Sequence, residues 1–285
     1  PLINKVLYHR SSKVLIVVPT RELAIQIDTE FKSLARGLET YSVCVVGGMS
    51  IGRQISELRL RNHFVIGTPG RLKDLIERKS IFLSEFKTIV LDEADRMLDM
   101  GFIRDMRFIM SGMPKERHTL FFSATISHDI ERFVSEFLKN PVKISVKTGD
   151  TCKNVDQDVV KVGGKNKLDV LHDLLNQKEF EKVLVFGRTK HGVEKLSRTL
   201  IERGFKADSI HGNKNHSGRQ RALTAFKNNR VNILVATDVA ARGLDIPDIS
   251  HVINYDLPTT YEDYVNRIGR TGRYNKLGKA LTFID

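Results

Sequence analysis

Cysteine is scarce in this 285-residue chain, and Cys44 and Cys152 make neither a disulfide framework nor a zinc-ligand spacing. A reducing compartment, the cytoplasm, is therefore expected. No apolar run approaches membrane-spanning length, and the first residues form neither a signal nor a transit sequence, so no membrane partner is expected. A phosphate loop is missing as well. G-x-x-x-x-G-K-[ST] does not occur, and the only Gly-Lys pairs are Gly164-Lys165, followed by Asn166, and Gly278-Lys279, followed by Ala280. Nor is there a basic tail: the net charge of +12 divides evenly between the two halves of the chain. Charge spread this way suits a polyanionic partner lying across both halves better than a terminal polybasic anchor.

What is present is an alternation of short Val/Ile-rich runs with amphipathic stretches, the pattern of parallel β-α-β units. Lys13 to Val18 reads as a strand. Leu23, Ile27, Phe31 and Leu34 mark the apolar face of the next helix, with Gly37 as its C-cap. The plan then repeats. Lys182 to Phe186 restates Lys13 to Val17, and each run leads to a threonine, Thr189 or Thr20. Phe64 to Thr68 is matched by Ile233 to Thr237, and the second threonine follows the first by 48 residues in both halves. A later strand ends at Asp92 in one half and at Asp256 in the other. A tandem duplication is expected, with residues 1–146 and 159–285 as the domains and the polar, glycine-containing stretch 147–158 as the linker.

The strand Thr88 to Leu91 runs into Asp92-Glu93-Ala94-Asp95, three carboxylates interrupted by one alanine. Open α/β sheets bind ligands at the C-terminal ends of their strands, and hard oxygens there suit Mg²⁺ and a phosphate substrate. Other strand-end loops are built of small or hydroxyl residues, Gly47-Gly48 by itself and Pro19-Thr20-Arg21, Thr68-Pro69-Gly70-Arg71 and Thr237 to Asp245 with an arginine among them. Each alone reads as a plain turn or cap. Together, at corresponding strand ends, they suit a sugar-phosphate backbone gripped by amides, hydroxyls and guanidinium groups. Ser123-Ala124-Thr125 ends another apolar strand beside the carboxylates and offers hydroxyls to Asp95. Arg267-Ile268-Gly269-Arg270-Thr271-Gly272-Arg273 spaces arginines every third residue, as needed to aim guanidinium groups at a γ-phosphate.

This ordered set of motifs closely resembles the DEAD-box ATP-dependent RNA helicases of superfamily 2 over essentially the whole chain, with Glu93 to Phe102 and His211 to Lys214 most similar to bacterial members. The resemblance implies an α/β fold of two tandem RecA-like domains, each a mostly parallel sheet flanked by helices. It implies ATP and Mg²⁺ as cofactors, with Asp92 holding Mg²⁺ through water and Glu93 polarising the attacking water. Asp95 would link to Ser123 and Thr125. Arg270 and Arg273 match the arginine fingers, and Asp245 the residue near the ribose. Pro19, Thr20, Arg21, Gly48, Thr68, Pro69, Gly70, Arg71 and Thr237 match positions that hold RNA backbone, with Gly212 and Arg188 as weaker matches. The implied protein is a monomer that separates RNA strands locally, with ribosome-assembly or RNA-decay proteins among its partners.

Three departures stand out. The missing phosphate loop, with Pro1 to Leu7 resembling the helix that continues from it, leads to the expectation that the sequence is truncated at its N-terminus. Asn266 stands where the family has a histidine, and it cannot carry a proton. His216 replaces the family's glutamine ahead of Arg219. As given, the chain also fits an RNA-binding module without ATPase activity.

Overall fold

The computed structural model describes residues 1–146, 154–241, 246–273 and 276–285. The chain divides into two compact units, Pro1–Ile144 and Ser145–Asp285. In the first, five parallel strands, β1 (Lys13–Val17), β2 (Ser42–Val45), β3 (Phe64–Gly67), β4 (Phe86–Leu91) and β5 (His118–Phe121), lie in the order β2-β3-β1-β4-β5. Side chains alternate between the faces of β1. Leu15 and Val17 join Leu75, Ile89, Leu91, Met106 and Phe133 on one side. Val14 joins Val6, Phe31, Phe64 and Val90 on the other. Because both faces are covered, the central strands read as unbroken apolar runs, as in β3, where every residue is buried.

The helix Arg21–Leu34 departs from expectation at its end. Thr20 caps it by accepting from the Leu23 N–H at 3.3 Å. Its buried line passes through Ala24, Asp28, Phe31 and Ala35, one angular stripe of a 3.6-residue helix, which leaves Leu34 at the margin and 70% exposed. Asp28 is tolerated on that line because it accepts from the Ser42 hydroxyl and from Lys32, each at 2.6 Å. Ala35 is the C-cap, and Gly37, with φ of 79°, turns the chain two residues later.

The second unit holds β6 (Val155–Lys161), β7 (Val183–Phe186), β8 (Ala207–Ile210), β9 (Ile233–Ala236), β10 (His251–Asn254) and β11 (Gly278–Ile284), again all parallel. Its order is β6-β11-β10-β7-β9-β8. With β7 set on β1, β8-β9-β7-β10-β11 repeats β2-β3-β1-β4-β5, and β6 is an added edge strand. The pairing agrees: Val17 lies opposite Gly67, and Phe186 opposite Ala236. Two sheets of this one plan are the tandem RecA-like arrangement. The expected linker 147–158 is corrected at its end, because Val155 to Asp158 pair with Gly278 to Leu281 as part of the second sheet. Among the described residues no helix is long and apolar enough to cross a membrane.

Candidate nucleotide and nucleic-acid site

The carboxylate cluster forms where β4 leaves the sheet. Asp92 continues the ladder by donating its N–H to the Val17 carbonyl at 3.1 Å. The side chain is half-buried, and its Oδ1 accepts from the Glu93 N–H at 2.9 Å. Burial raises its pKa above the ordinary aspartate value. The Glu93 hydrogen bond works against that, while the Glu93 and Asp95 charges add to it. A desolvated carboxylate among other acids is a site that a cation would relieve. Glu93 takes a left-handed backbone, φ 50° and ψ 50°, at a cost of about 1 kcal/mol for a residue with a Cβ. Its Oε2 accepts from Arg96 Nη1 at 2.8 Å, one helical turn on. Sequence reading passed over buried Arg96, although i,i+3 spacing from Glu93 was the available signal.

Asp95 binds the end of β5. Its Oδ2 accepts from the Ala124 N–H at 3.1 Å, the Thr125 N–H at 2.9 Å and the Thr125 hydroxyl at 3.0 Å. The expected link to Ser123 is not made: that hydroxyl donates to the Thr125 carbonyl at 2.6 Å and shapes the turn instead. The link spans 30 residues and exists because β4 and β5 are neighbours in the sheet.

Among the described residues no group of three His, Cys, Asp or Glu side chains is placed to hold a metal alone. One desolvated carboxylate nevertheless fits Mg²⁺, which keeps several waters and binds through one or two carboxylates together with the phosphates of a substrate.

On the other side of β1, the predicted backbone-gripping loops meet at the ends of β1, β2 and β3. The Arg21 guanidinium lies over Gly47 and Gly48. Gly48 has φ of 78°, the left-handed region that favours glycine, and a Cβ there would stand 2.3 Å from Arg21 Nη1, a contact the flexible guanidinium would relieve by shifting. Thr68 precedes Pro69 at the start of the helix Pro69–Glu77, with Gly70 exposed in its first turn. Arg71 is less open than expected. Its side chain is 13% exposed, and Nη1 donates to the Met49 carbonyl at 3.2 Å and to Gln54 Oε1 at 2.9 Å. Nothing in the sequence flagged Gln54.

In the second unit the Thr237 N–H donates to the Ile210 carbonyl at 3.3 Å, which sets that threonine beside the turn opening at His211-Gly212. His211 is buried, with Nε2 3.0 Å from Glu194, and the same Glu194 oxygen accepts from the Ser209 hydroxyl at 2.6 Å. These two bonds are the largest causes that hold the Glu194 carboxyl down to about 2. Arg188 is exposed at the end of β7.

The arginine series divides. Arg267 is 2% exposed, grips Asp238 with two bonds of 2.6 and 2.8 Å, donates to the Asp256 carbonyl at 2.6 Å and lies over the Phe186 ring at 5.0 Å. It is a structural rivet. Arg270 and Arg273 lie just beyond the helix Tyr261–Ile268, half-buried, with Nε donating to the Asn266 and Gly269 carbonyls at 3.3 and 2.8 Å. Asn266 is exposed. His216 opens the helix His216–Lys227, and its buried Nδ1 has no partner among the described residues. Asp245 lies outside the described residues.

Two RecA-like units, each presenting polar loops at the C-terminal edge of its sheet and one carrying an Asp-Glu-Ala-Asp tetrad locked to a Ser-Ala-Thr turn, define a helicase core. The chain matches the DEAD/DEAH box helicase family over residues 1–133 and the helicase conserved C-terminal domain over residues 166–275. It belongs to the DEAD-box RNA helicase family. It is 46% identical to the ATP-dependent RNA helicase CshA of Listeria monocytogenes over 288 residues, covering 100% of this chain and 55% of that protein. With DEAD-box ATP-dependent RNA helicase CshA of Bacillus licheniformis it shares 44% identity, covering 100% of this chain and 59% of the other. The chain thus spans about half the length of the curated relatives it matches. S. cerevisiae Dbp5 bound to RNA and ADP BeF3 matches with a TM-score of 0.82 and 30% identity, over 96% of this chain and 71% of the other. The helicase Mss116 bound to ssRNA and UDP-BeF matches with a TM-score of 0.87 and 28% identity, over 100% of this chain and 63% of the other.

Proposed function

We propose that this protein is an ATP-dependent RNA helicase that separates short RNA duplexes locally and remodels RNA–protein complexes. The observation that carries the reading is the pairing of a desolvated Asp92 with the lock of Asp95 on Thr125. One places a cation-seeking carboxylate at the sheet edge. The other ties that edge to a neighbouring turn, so that events at the nucleotide are felt by the rest of the lobe.

In this reading Asp92 would hold Mg²⁺ through water, and the ion would supply charge neutralisation at the ATP phosphates. Glu93 orients and polarises the attacking water. Arg270 and Arg273, both in the second lobe, serve as the arginine fingers that stabilise charge on the γ-phosphate. Asp245 lies near the ribose. Pro19, Thr20, Arg21, Gly48, Thr68, Pro69, Gly70, Arg71, Gly212 and Thr237 hold one RNA strand by its backbone, and Arg188 supplements them. Backbone contact explains why no base-reading set is needed. The protein works in the cytoplasm as a monomer, alongside ribosome-assembly or RNA-decay proteins.

RNA-stimulated ATP hydrolysis by the full-length natural protein tests the proposal. Glu93→Gln is expected to abolish turnover while ATP and RNA still bind, and retained turnover would reject it. The absence of G-x-x-x-x-G-K-[ST] favours a second reading for the chain as given, an RNA-binding module without ATPase activity. Hydrolysis by the 285-residue chain, abolished by Glu93→Gln, would exclude that second reading.

A further inference from the structure

The helix Ile51–Leu58 packs Ile51, Ile55 and Leu58 against the first core, and Gln54 lies among them at 2% exposure. By pattern a leucine belongs there. A buried amide is destabilising unless its polar atoms are engaged, and here both are. Nε2 donates to the Val46 carbonyl, one residue past β2, at 3.0 Å, and Oε1 accepts from Arg71 Nη1 at 2.9 Å. The same Arg71 nitrogen reaches the Met49 carbonyl at 3.2 Å. The Arg71 Nε lies 3.9 Å from the Asp74 carboxylate. One side chain thus ties the turn after β2 to the helix that follows β3. Arg21, the first residue of the helix after β1, rests on that same turn at Gly47 and Gly48.

We propose that Gln54 is a positioning residue for nucleic-acid binding: it fixes the Gly47-Gly48-Met49 turn and Arg71 against each other so that the loops after β1, β2 and β3 present one rigid, phosphate-gripping surface. This rests on the RNA reading of that surface. Gln54 itself is buried and meets no phosphate. Its loss therefore lowers affinity by loosening the surface and removes no charge contact.

The test uses the 285-residue chain and a single-stranded RNA, with affinity measured across a salt series. Gln54→Met is expected to weaken binding about tenfold, the effect of about 1.4 kcal/mol from a broken buried amide network. The slope of log K against log salt should not change, whereas Arg21→Met should flatten it by about 0.7 for one lost single-strand phosphate contact. Gln54→Met combined with Arg71→Met should bind no more weakly than Arg71→Met alone. Gln54→Glu, which keeps the acceptor for Arg71, should recover part of the affinity. Amide hydrogen exchange at Gly47, Gly48 and Met49 should accelerate in Gln54→Met. Binding by Gln54→Met within twofold of the parent, or full additivity with Arg71→Met, would overturn the inference. If the parent chain binds no RNA, the reading of the surface fails first. The coupling is then decided by exchange, and unchanged protection of the turn in Gln54→Met would reject it.

Discussion

Asp92 and Asp256 occupy the same place in the two lobes and are treated in opposite ways. Each follows the strand beside the lobe's central strand, and each donates its N–H at 3.1 Å to the last carbonyl of that central strand, Val17 or Phe186. In the second lobe the Asp256 carboxylate accepts from the Arg188 N–H at 2.8 Å and lies 3.8 Å from the Lys167 ammonium. In the first, Asp92 accepts one bond, from its neighbour Glu93, and faces further acids. One copy of the duplicated frame satisfies its acid with a backbone N–H and a nearby ammonium, whereas the other leaves it beside further carboxylates, where the proposed function places a cation. A repeat of the backbone plan therefore does not imply a repeat of the chemistry, which depends on the loops the two sheets carry.

The largest effect expected from breaking this asymmetry is on turnover in the full-length protein. Arg270→Ala, which removes one of the proposed finger charges, should cost about 10³-fold in RNA-stimulated ATP hydrolysis measured at saturating ATP. Asp92→Asn should cost about 10²-fold or more through lost electrostatic stabilisation, yet leave the thermal midpoint of the ligand-free protein unchanged or raised. Asp256→Asn should reverse that pattern, lowering stability by about 1–2 kcal/mol in denaturant unfolding with the smaller loss of turnover. Equal effects of the two asparagine substitutions on turnover would remove the distinction.

A smaller contrast concerns structural carboxylates. Glu194→Gln should destabilise the second lobe by about 1–2 kcal/mol, because Glu194 holds both Ser209 and His211, and unfolding followed by probes in each lobe should place the change there. Thr125→Val, which removes one of three bonds to Asp95, should cost about 1 kcal/mol in the first lobe.

The smallest effect is in pH dependence, and its sign differs between the lobes. The folded-state pKa of Asp92 is raised. Its contribution is most favourable below the ordinary aspartate value and is lost as pH rises through the raised one. Glu194 is held down to about 2, so its contribution is present above the ordinary glutamate value and is lost as pH falls toward 2. Thermal melts from pH 2 to 7 should show Asp92→Asn flattening a decline with rising pH, and Glu194→Gln flattening the acid limb. The same limb in parent and Glu194→Gln proteins would show that folding does not lower the Glu194 pKa.

Much of this was legible along the chain. Apolar runs ending in polar residues fixed the strands, and since parallel sheets present every strand's C-terminal end at one edge, Asp92, Thr20, Thr68 and Thr237 were bound to share such edges within their own lobes. The repeated spacing of threonines anticipated the shared strand order. Local periodicity could not show that Leu34 falls at the margin of its helix's buried stripe, because the burial of Ala24, Asp28, Phe31 and Ala35 depends on where the sheet lies beneath them. Nor could it show that Val155 opens an edge strand whose partner is more than a hundred residues away. In the arginine series identical residue types were given different work. Arg267 is buried on Asp238 while Arg270 and Arg273 remain half-buried beyond the helix end, since the folded neighbourhood decides which guanidinium is desolvated. The sequence by itself determined which residue types stand at which strand ends, through periodicity and covalent order. Only the tertiary structure decided which of them meet, because hydrogen bonds such as Asp95 to Thr125 and Gln54 to Arg71 require strands to be neighbours in space, and strand order is set by packing across the whole sheet.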